Sequence, residues 1–159
     1  MAAYRGRSTQ SLDDLKYLNR IVFLVEMVVL ALPVTYFFVL NVALTFHFVE
    51  KGAPTELAFE QLVFVTSASA ILNGWYVALL FLRRGERALV ACPYVFWIPP
   101  ILGVCVAVAA AASIYLPRSE PYGPVDTFRS SLKPYAMGLV LTIPLIHLWI
   151  ARARAKSSN

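Results

Sequence analysis

Two ionisable residues interrupt the long apolar runs of this sequence: Glu26, six residues past Arg20, and His147, five residues before Arg152. At the helical rise of about 1.5 Å per residue, Glu26 lies about 9 Å beyond Arg20, and His147 sits at a comparable depth from Arg152. An acid that far into an apolar helix costs a few kcal/mol on insertion scales, so such residues usually face a bundle interior or a wet cavity. A carboxylate and an imidazole within reach of each other can bind a proton or a small polar ligand. They can also serve as polar glue between two helices, typically worth about 0.6 kcal/mol per hydrogen bond, or Glu26 can lie shallow enough to remain hydrated. Glue or hydration is the preferred reading, and the functional one stays open at this point. Asn73, Tyr76 and Tyr94 fall in the same half of the apolar runs and complete the candidate ligand- or proton-binding set. Asn41 reads as a helix–helix hydrogen bond near the other end of the first run.

Other chemistry is hard to assemble. The chain has no HExxH, Gly-x-Ser-x-Gly, phosphate-loop, CxxC or EF-hand pattern. Its histidines, His47 and His147, fall at opposite ends of the apolar runs, so no metal site is expected, and no cofactor. Cys92 and Cys105 are thirteen residues apart in one apolar run, which on a straight helix is about 20 Å and beyond disulfide reach. They read as small buried hydrophobes.

The elements that must position Glu26 and His147 follow from composition. Of 159 residues, 59% are hydrophobic and 14% charged, with a mean hydropathy of +0.66. Soluble domains carry roughly 45–50% apolar and about 25% charged residues, and a chain this short has no interior able to hide the surplus. The fold class expected is an all-α integral membrane protein, a four-transmembrane-helix antiparallel bundle. The spans are Ile21–Phe46, Gln61–Leu82, Ala88–Leu116 and Tyr135–Ala151, each near or above the roughly 20 residues that cross a hydrocarbon core. They form one domain over 21–151, preceded by an N-terminal segment, 1–20, and followed by a basic tail, 152–159.

Lysine and arginine set the orientation. Ten of them (Arg5, Arg7, Lys16, Arg20, Arg83, Arg84, Arg87, Arg152, Arg154 and Lys156) fall on one side, against Lys51, Arg118, Arg129 and Lys133 on the other. Both termini are therefore expected in the cytoplasm. A capping-box spacing at Ser11–Asp14 suggests that the first helix begins near Leu12, with Leu12, Leu15 and Tyr17 along the inner membrane interface. A tight turn at Gly85 makes the second and third spans a hairpin. In an up-down bundle the first and fourth spans are neighbours, which makes a Glu26–His147 contact geometrically possible.

Small residues recur at helix-packing spacing: Gly103, Ala107 and Ala111 on the third span, Ala70 and Gly74 on the second, and more weakly Gly138 and Thr142 on the fourth. Such rows allow close backbone approach, either within the bundle or toward another membrane protein. The over-long third span must tilt or kink, with Pro93 and Pro99-Pro100 as the breakers. Trp75 and Trp97 lie ten and twelve residues from Gly85 and so at similar depth, either packed together or facing lipid. The Pro117–Pro134 loop is the longest candidate surface on the far side, and the shorter His47–Glu60 loop is acidic.

Four spans with both termini inside and small outer loops resemble, in topology alone, immunity proteins against pore-forming bacterial toxins. The first expectation is a non-enzymatic bacterial inner-membrane protein that binds another membrane protein, as an accessory subunit or immunity protein, or forms a homo-oligomer. The alternative is a small carrier or a proton or ligand sensor using Glu26 and His147. A membrane-embedded enzyme comes third. Apart from the lipid bilayer no other partner class is indicated, and the charge placement argues against nucleic acid.

Overall fold

Where no water replaces a lost backbone partner, hydrogen bonds close within each segment. The computed structural model accordingly contains no strand among the described residues. These are residues 5–50, 58–115 and 133–157, with side chains described for 14–44, 61–115 and 133–157. Helix α1 (Arg5–Glu26) runs through a π-helical segment (Met27–Ala31) into α2 (Leu32–Glu50). Helix α3 (Ala58–Arg84) turns at Gly85 into the short α4 (Glu86–Ala91). A 3-10 turn (Tyr94–Phe96) then leads into α5 (Ile98–Tyr115), and a 3-10 segment (Lys133–Leu141) leads into α6 (Thr142–Ser157). Four stretches are long and apolar enough to cross a membrane: Asp14–Leu44, Gln61–Arg84, Tyr94–Tyr115 and Lys133–Ser157.

Prolines explain most departures from straight helices. Pro33 has no N–H for the carbonyl of Val29, and its ring would strike that carbonyl. The helix widens there, with the Leu32 N–H bonded to the Met27 carbonyl five residues back. The wider turn keeps Phe23, Met27, Ala31 and Val34 buried along one face. The third span is not one kinked helix over Ala88–Leu116. It breaks at Cys92–Pro93, and α5 restarts at Ile98. Pro99 and Pro100 sit in the first turn of α5, where backbone N–H groups have no intrahelical partner to lose. They start that helix instead of bending it. The fourth span extends beyond its apolar run to Lys133 and Ser157, because long basic side chains can keep their charges at the rim.

The first helix starts at Arg5, earlier than the expected Leu12, and Leu15 and Tyr17 are exposed on it. The side chains of Ser11, Leu12 and Asp13 lie outside the described residues, as do residues 51–57 of the His47–Glu60 loop and 116–132 of the Pro117–Pro134 loop.

The main core joins Phe23, Met27 and Ala31 to Val77, Ala78 and Phe81 of α3, Leu89 of α4, Cys92, Trp97, and Leu148 and Ala151 of α6. Phe23 meets Phe81 edge to face with ring centroids 5.1 Å apart, a geometry worth about 0.5–1.5 kcal/mol beyond area burial. The far half is packed by small residues. Gly103 lies so close to the Ala70 methyl that a Cβ there would collide with it, and a Cβ on Gly138 would come 3.1 Å from that of Ala107. Ala110 and Val63 continue this seam, with Tyr135 beside them. The small-residue row of α5 therefore packs inside the chain.

Candidate functional site

Asn19, Phe23 and Glu26 are spaced i, i+4, i+7 on α1, so they share one face. That face meets α6 at His147. The imidazole Nδ1 lies 2.9 Å and 3.1 Å from the two oxygens of the Glu26 carboxylate. Its Nε2 lies 3.0 Å from Asn19 Oδ1. The other end of the same amide, Nδ2, donates to Glu86 Oε1 at 3.4 Å. The side chains of His147 and Glu26 are 16% and 22% exposed. Phe23 and Phe81 wall the ring, with centroids 5.2 Å and 6.3 Å from it.

This geometry carries a definite electrostatic statement. A carboxylate only accepts hydrogen bonds, and an amide oxygen only accepts. With Glu26 ionised, both imidazole nitrogens face acceptors, and the imidazolium meets them with two N–H donors; with Glu26 protonated, its O–H serves Nδ1 and a neutral ring donates from Nε2. The Asn19 orientation that presents Oδ1 to His147 is the one that lets Nδ2 serve the Glu86 carboxylate. Four side chains from three helices thus form one chain of contacts, Glu26–His147–Asn19–Glu86, with an imidazole and an amide between two acids.

Glu86 is placed by the turn. Gly85 has φ +79°, a conformation L side chains rarely adopt, and the Arg20 guanidinium packs directly over it. Glu86 opens α4, where an acidic side chain is favoured by the helix dipole. The basic clusters of α1, the α3–α4 corner and α6 therefore converge on one end of the bundle, the end nearest the histidine.

A second polar cluster lies beside the first. Arg152, one turn beyond Leu148, donates to the Cys92 carbonyl at 3.3 Å. Its guanidinium carbon is 4.3 Å from the Tyr94 ring centroid and 5.1 Å from that of Trp97. The charge is held by aromatic faces, a favourable arrangement when desolvated. Arg152 Nη1 and Trp97 Nε1 are buried without a hydrogen-bond partner. Cys92, between the spans, has its thiol pKa pushed up by burial, opposed in part by the Arg152 charge.

Of the ligand- or proton-binding candidates read from the sequence, Glu26 and His147 come together and the others do not join them. Asn73 turns back on its own helix, donating to the Ser69 carbonyl at 2.8 Å. Tyr76 packs on Phe96 with centroids 4.7 Å apart, and Tyr94 covers Arg152. None of the three reaches the imidazole, because the break at Pro93 turns Tyr94 toward α6 and the facing side of α3 presents Phe81 there. Trp75 and Trp97 do not pair. Trp75 donates to Thr35 Oγ1 at 2.9 Å, while Trp97 meets Trp149 edge to face at 5.5 Å. Cys105 is exposed, unlike Cys92, and both thiols are free. Asn19 and Glu86 escaped the sequence reading because both fall outside the apolar runs. The seven-residue spacing of Asn19 and Glu26 was the available signal for the first, and nothing local marks the second. Among the described residues no group of three His, Cys, Asp or Glu side chains could hold a metal ion. No protein-family model, curated protein or solved structure matches the chain.

Proposed function

We propose that this chain is a four-span bacterial inner-membrane protein with its basic end in the cytoplasm, and that it responds to protonation of His147. The observation that carries the reading is the double-acceptor environment of the imidazole, with Glu26 on Nδ1 and Asn19 on Nε2. Imidazole is the side chain that ordinarily changes charge between about pH 5 and 8. A sensor is favoured over a carrier by what lies beyond the pair. Residues 27–44, 61–82, 98–115 and 134–146 contain no Asp, Glu, His, Lys or Arg. A proton that arrives from the basic end meets no carboxylate, imidazole or basic group in those stretches by which to leave at the other.

The test uses protein reconstituted in sealed vesicles. Fluorescence of Trp97 and Trp149, which pack edge to face with Trp149 two residues beyond His147 in the chain, is followed while the pH at the basic end is varied. A transition between about pH 5 and 8 that His147→Gln removes, with no proton flux above that of empty vesicles, supports the sensor. Flux that depends on Glu26 would make it a carrier, and a flat wild-type response would overturn the reading. Orientation is tested separately by cysteines introduced at Ser8, Glu86 and Ser157, expected to be shielded from an impermeant reagent in intact cells, and at Ala53 and Gly123, expected to react.

A second reading, lateral binding to another membrane protein as an accessory subunit or immunity protein, draws support from Gly74. A Cβ there would meet nothing within 4 Å, so this part of the Ala70/Gly74 row is left open. Loss of co-purifying protein on Gly74→Leu, with the fold intact, would favour that reading.

A further inference from the structure

The chain of contacts extends past the histidine, and its last link depends on whether the ring nitrogen facing Asn19 donates or accepts. Asn19 Oδ1 faces His147 Nε2 while Nδ2 faces the Glu86 carboxylate. When His147 loses its proton and keeps Nδ1–H for Glu26, Nε2 becomes an acceptor. Two acceptors then face each other at 3.0 Å. Rotation of the amide by a half-turn repairs this contact by presenting Nδ2 to Nε2. The same rotation presents Oδ1 to Glu86, and now two acceptors face each other at that end. An amide has one donor end and one acceptor end, so it cannot serve both neighbours once Nε2 accepts.

We propose that Asn19 is a positioning residue that links the proton on His147 to the attachment of the α3–α4 corner. With His147 charged, Asn19 holds Glu86 and so ties α4 to α1. With His147 neutral, Asn19 turns to the imidazole and Glu86 is released toward the aqueous rim. The inference rests on the proton-sensing reading above and names the part of the molecule that moves.

The surrounding charges fit this arrangement. From α1, Glu26 faces the imidazole, and Arg20 is turned onto the backbone of Gly85. From α3, the neighbour is the apolar ring of Phe81, with Arg83 and Arg84 exposed at the helix end. From α4, Glu86 faces Asn19, and Arg87 is exposed. On α6 itself Arg152 is turned away to the Cys92 carbonyl and the Tyr94 and Trp97 rings. Asn19 is thus the group through which a charge change at His147 meets Glu86. The Asn19–Glu86 contact is also the longest in the chain, at 3.4 Å, which suits a link that must break.

The experiment pairs two readouts on the full chain in lipid nanodiscs. Nitrogen-15 NMR of the imidazole reports the protonation and tautomer of His147 against pH. Electron paramagnetic resonance between nitroxides at Tyr17 and Arg87, in a Cys92→Ser, Cys105→Ser background, reports the α1–α4 separation. In the wild type the separation should widen as His147 deprotonates, with the same midpoint. Glu86→Gln should hold the separation constant across the titration, because a glutamine amide can donate or accept as Asn19 turns. Asn19→Leu should uncouple the separation from the protonation of His147, because no amide is left to pass the change to Glu86. If His147 titrates while the wild-type separation stays fixed, or if Glu86→Gln moves as the wild type does, the link is overturned and the proton site stands. If His147 keeps one protonation state from pH 5 to 8, the sensing reading and the link fall together.

Discussion

Replacing Glu26 and His147 by leucine, singly and together, should give costs that do not add. The carboxylate meets the ring nitrogen with both oxygens, at 2.9 Å and 3.1 Å, and both side chains are mostly shielded. Hydrogen bonds to charged groups contribute about 1.5–3 kcal/mol. Interhelical bonds in a bilayer average about 0.6 kcal/mol and reach about 1.7. The charge and the two-oxygen contact put this pair near the top of the membrane range, at about 1.5–2 kcal/mol of coupling. Glu26→Leu removes one acceptor, and the imidazole can respond by shedding a proton, so its cost should be about 1 kcal/mol. His147→Leu strands both the carboxylate and the Asn19 oxygen, and should cost about 3 kcal/mol. The double variant should then cost about 2 kcal/mol and be more stable than His147→Leu alone. Reversible unfolding in mixed micelles, followed by tryptophan fluorescence, measures all four corners of the cycle. Additivity within about 0.3–0.5 kcal/mol would refute the contact as an energetic unit, as would a double variant less stable than His147→Leu.

Three further substitutions probe the frame around this pair. Gly85→Ala should destabilise by about 1–2 kcal/mol in the same assay, chiefly through the positive φ, because the Arg20 guanidinium over the glycine can move aside. Ala107→Leu should cost about 1–3 kcal/mol by overfilling the seam with Gly138, while Val108→Leu, at a position 52% exposed, should be nearly neutral. Cys92 should alkylate much more slowly than an ordinary exposed thiol at neutral pH and accelerate only at higher pH, because burial raises its pKa and only the thiolate reacts. A Cys92 rate matching that of a free peptide thiol would contradict its burial.

The Glu26–His147 contact was legible because each residue is conspicuous within an apolar run and the depths match. Asn73, Tyr76 and Tyr94 met the same depth criterion and failed on direction. Asn73 bonds its own helix, as an asparagine can wherever a carbonyl lies four residues back. Tyr94 was reoriented by a break that the proline count announced but misplaced, since Pro93 ends a helix whereas Pro99 and Pro100 begin one. The small-residue row over Gly103 and Ala107 was visible as spacing, and in the fold Gly103 lies against Ala70 and Ala107 against Gly138.

Amino-acid order alone determined the number and approximate limits of the four apolar helices and the gathering of basic residues at one end of them. Those properties are sums along the chain, of hydropathy, length and charge, and need no neighbour. Tertiary structure alone decided which side of each helix turns inward. These helices are apolar nearly all round, so no amphipathic stripe marks a buried face, and lipid supplies no hydrophobic drive to choose one. Close packing of small residues, the wide turn before Pro33 and the break at Pro93 set the rotations instead. They bring Asn19, from outside the apolar runs, onto a histidine more than a hundred and twenty positions away, and Glu86, also from outside them, onto Asn19.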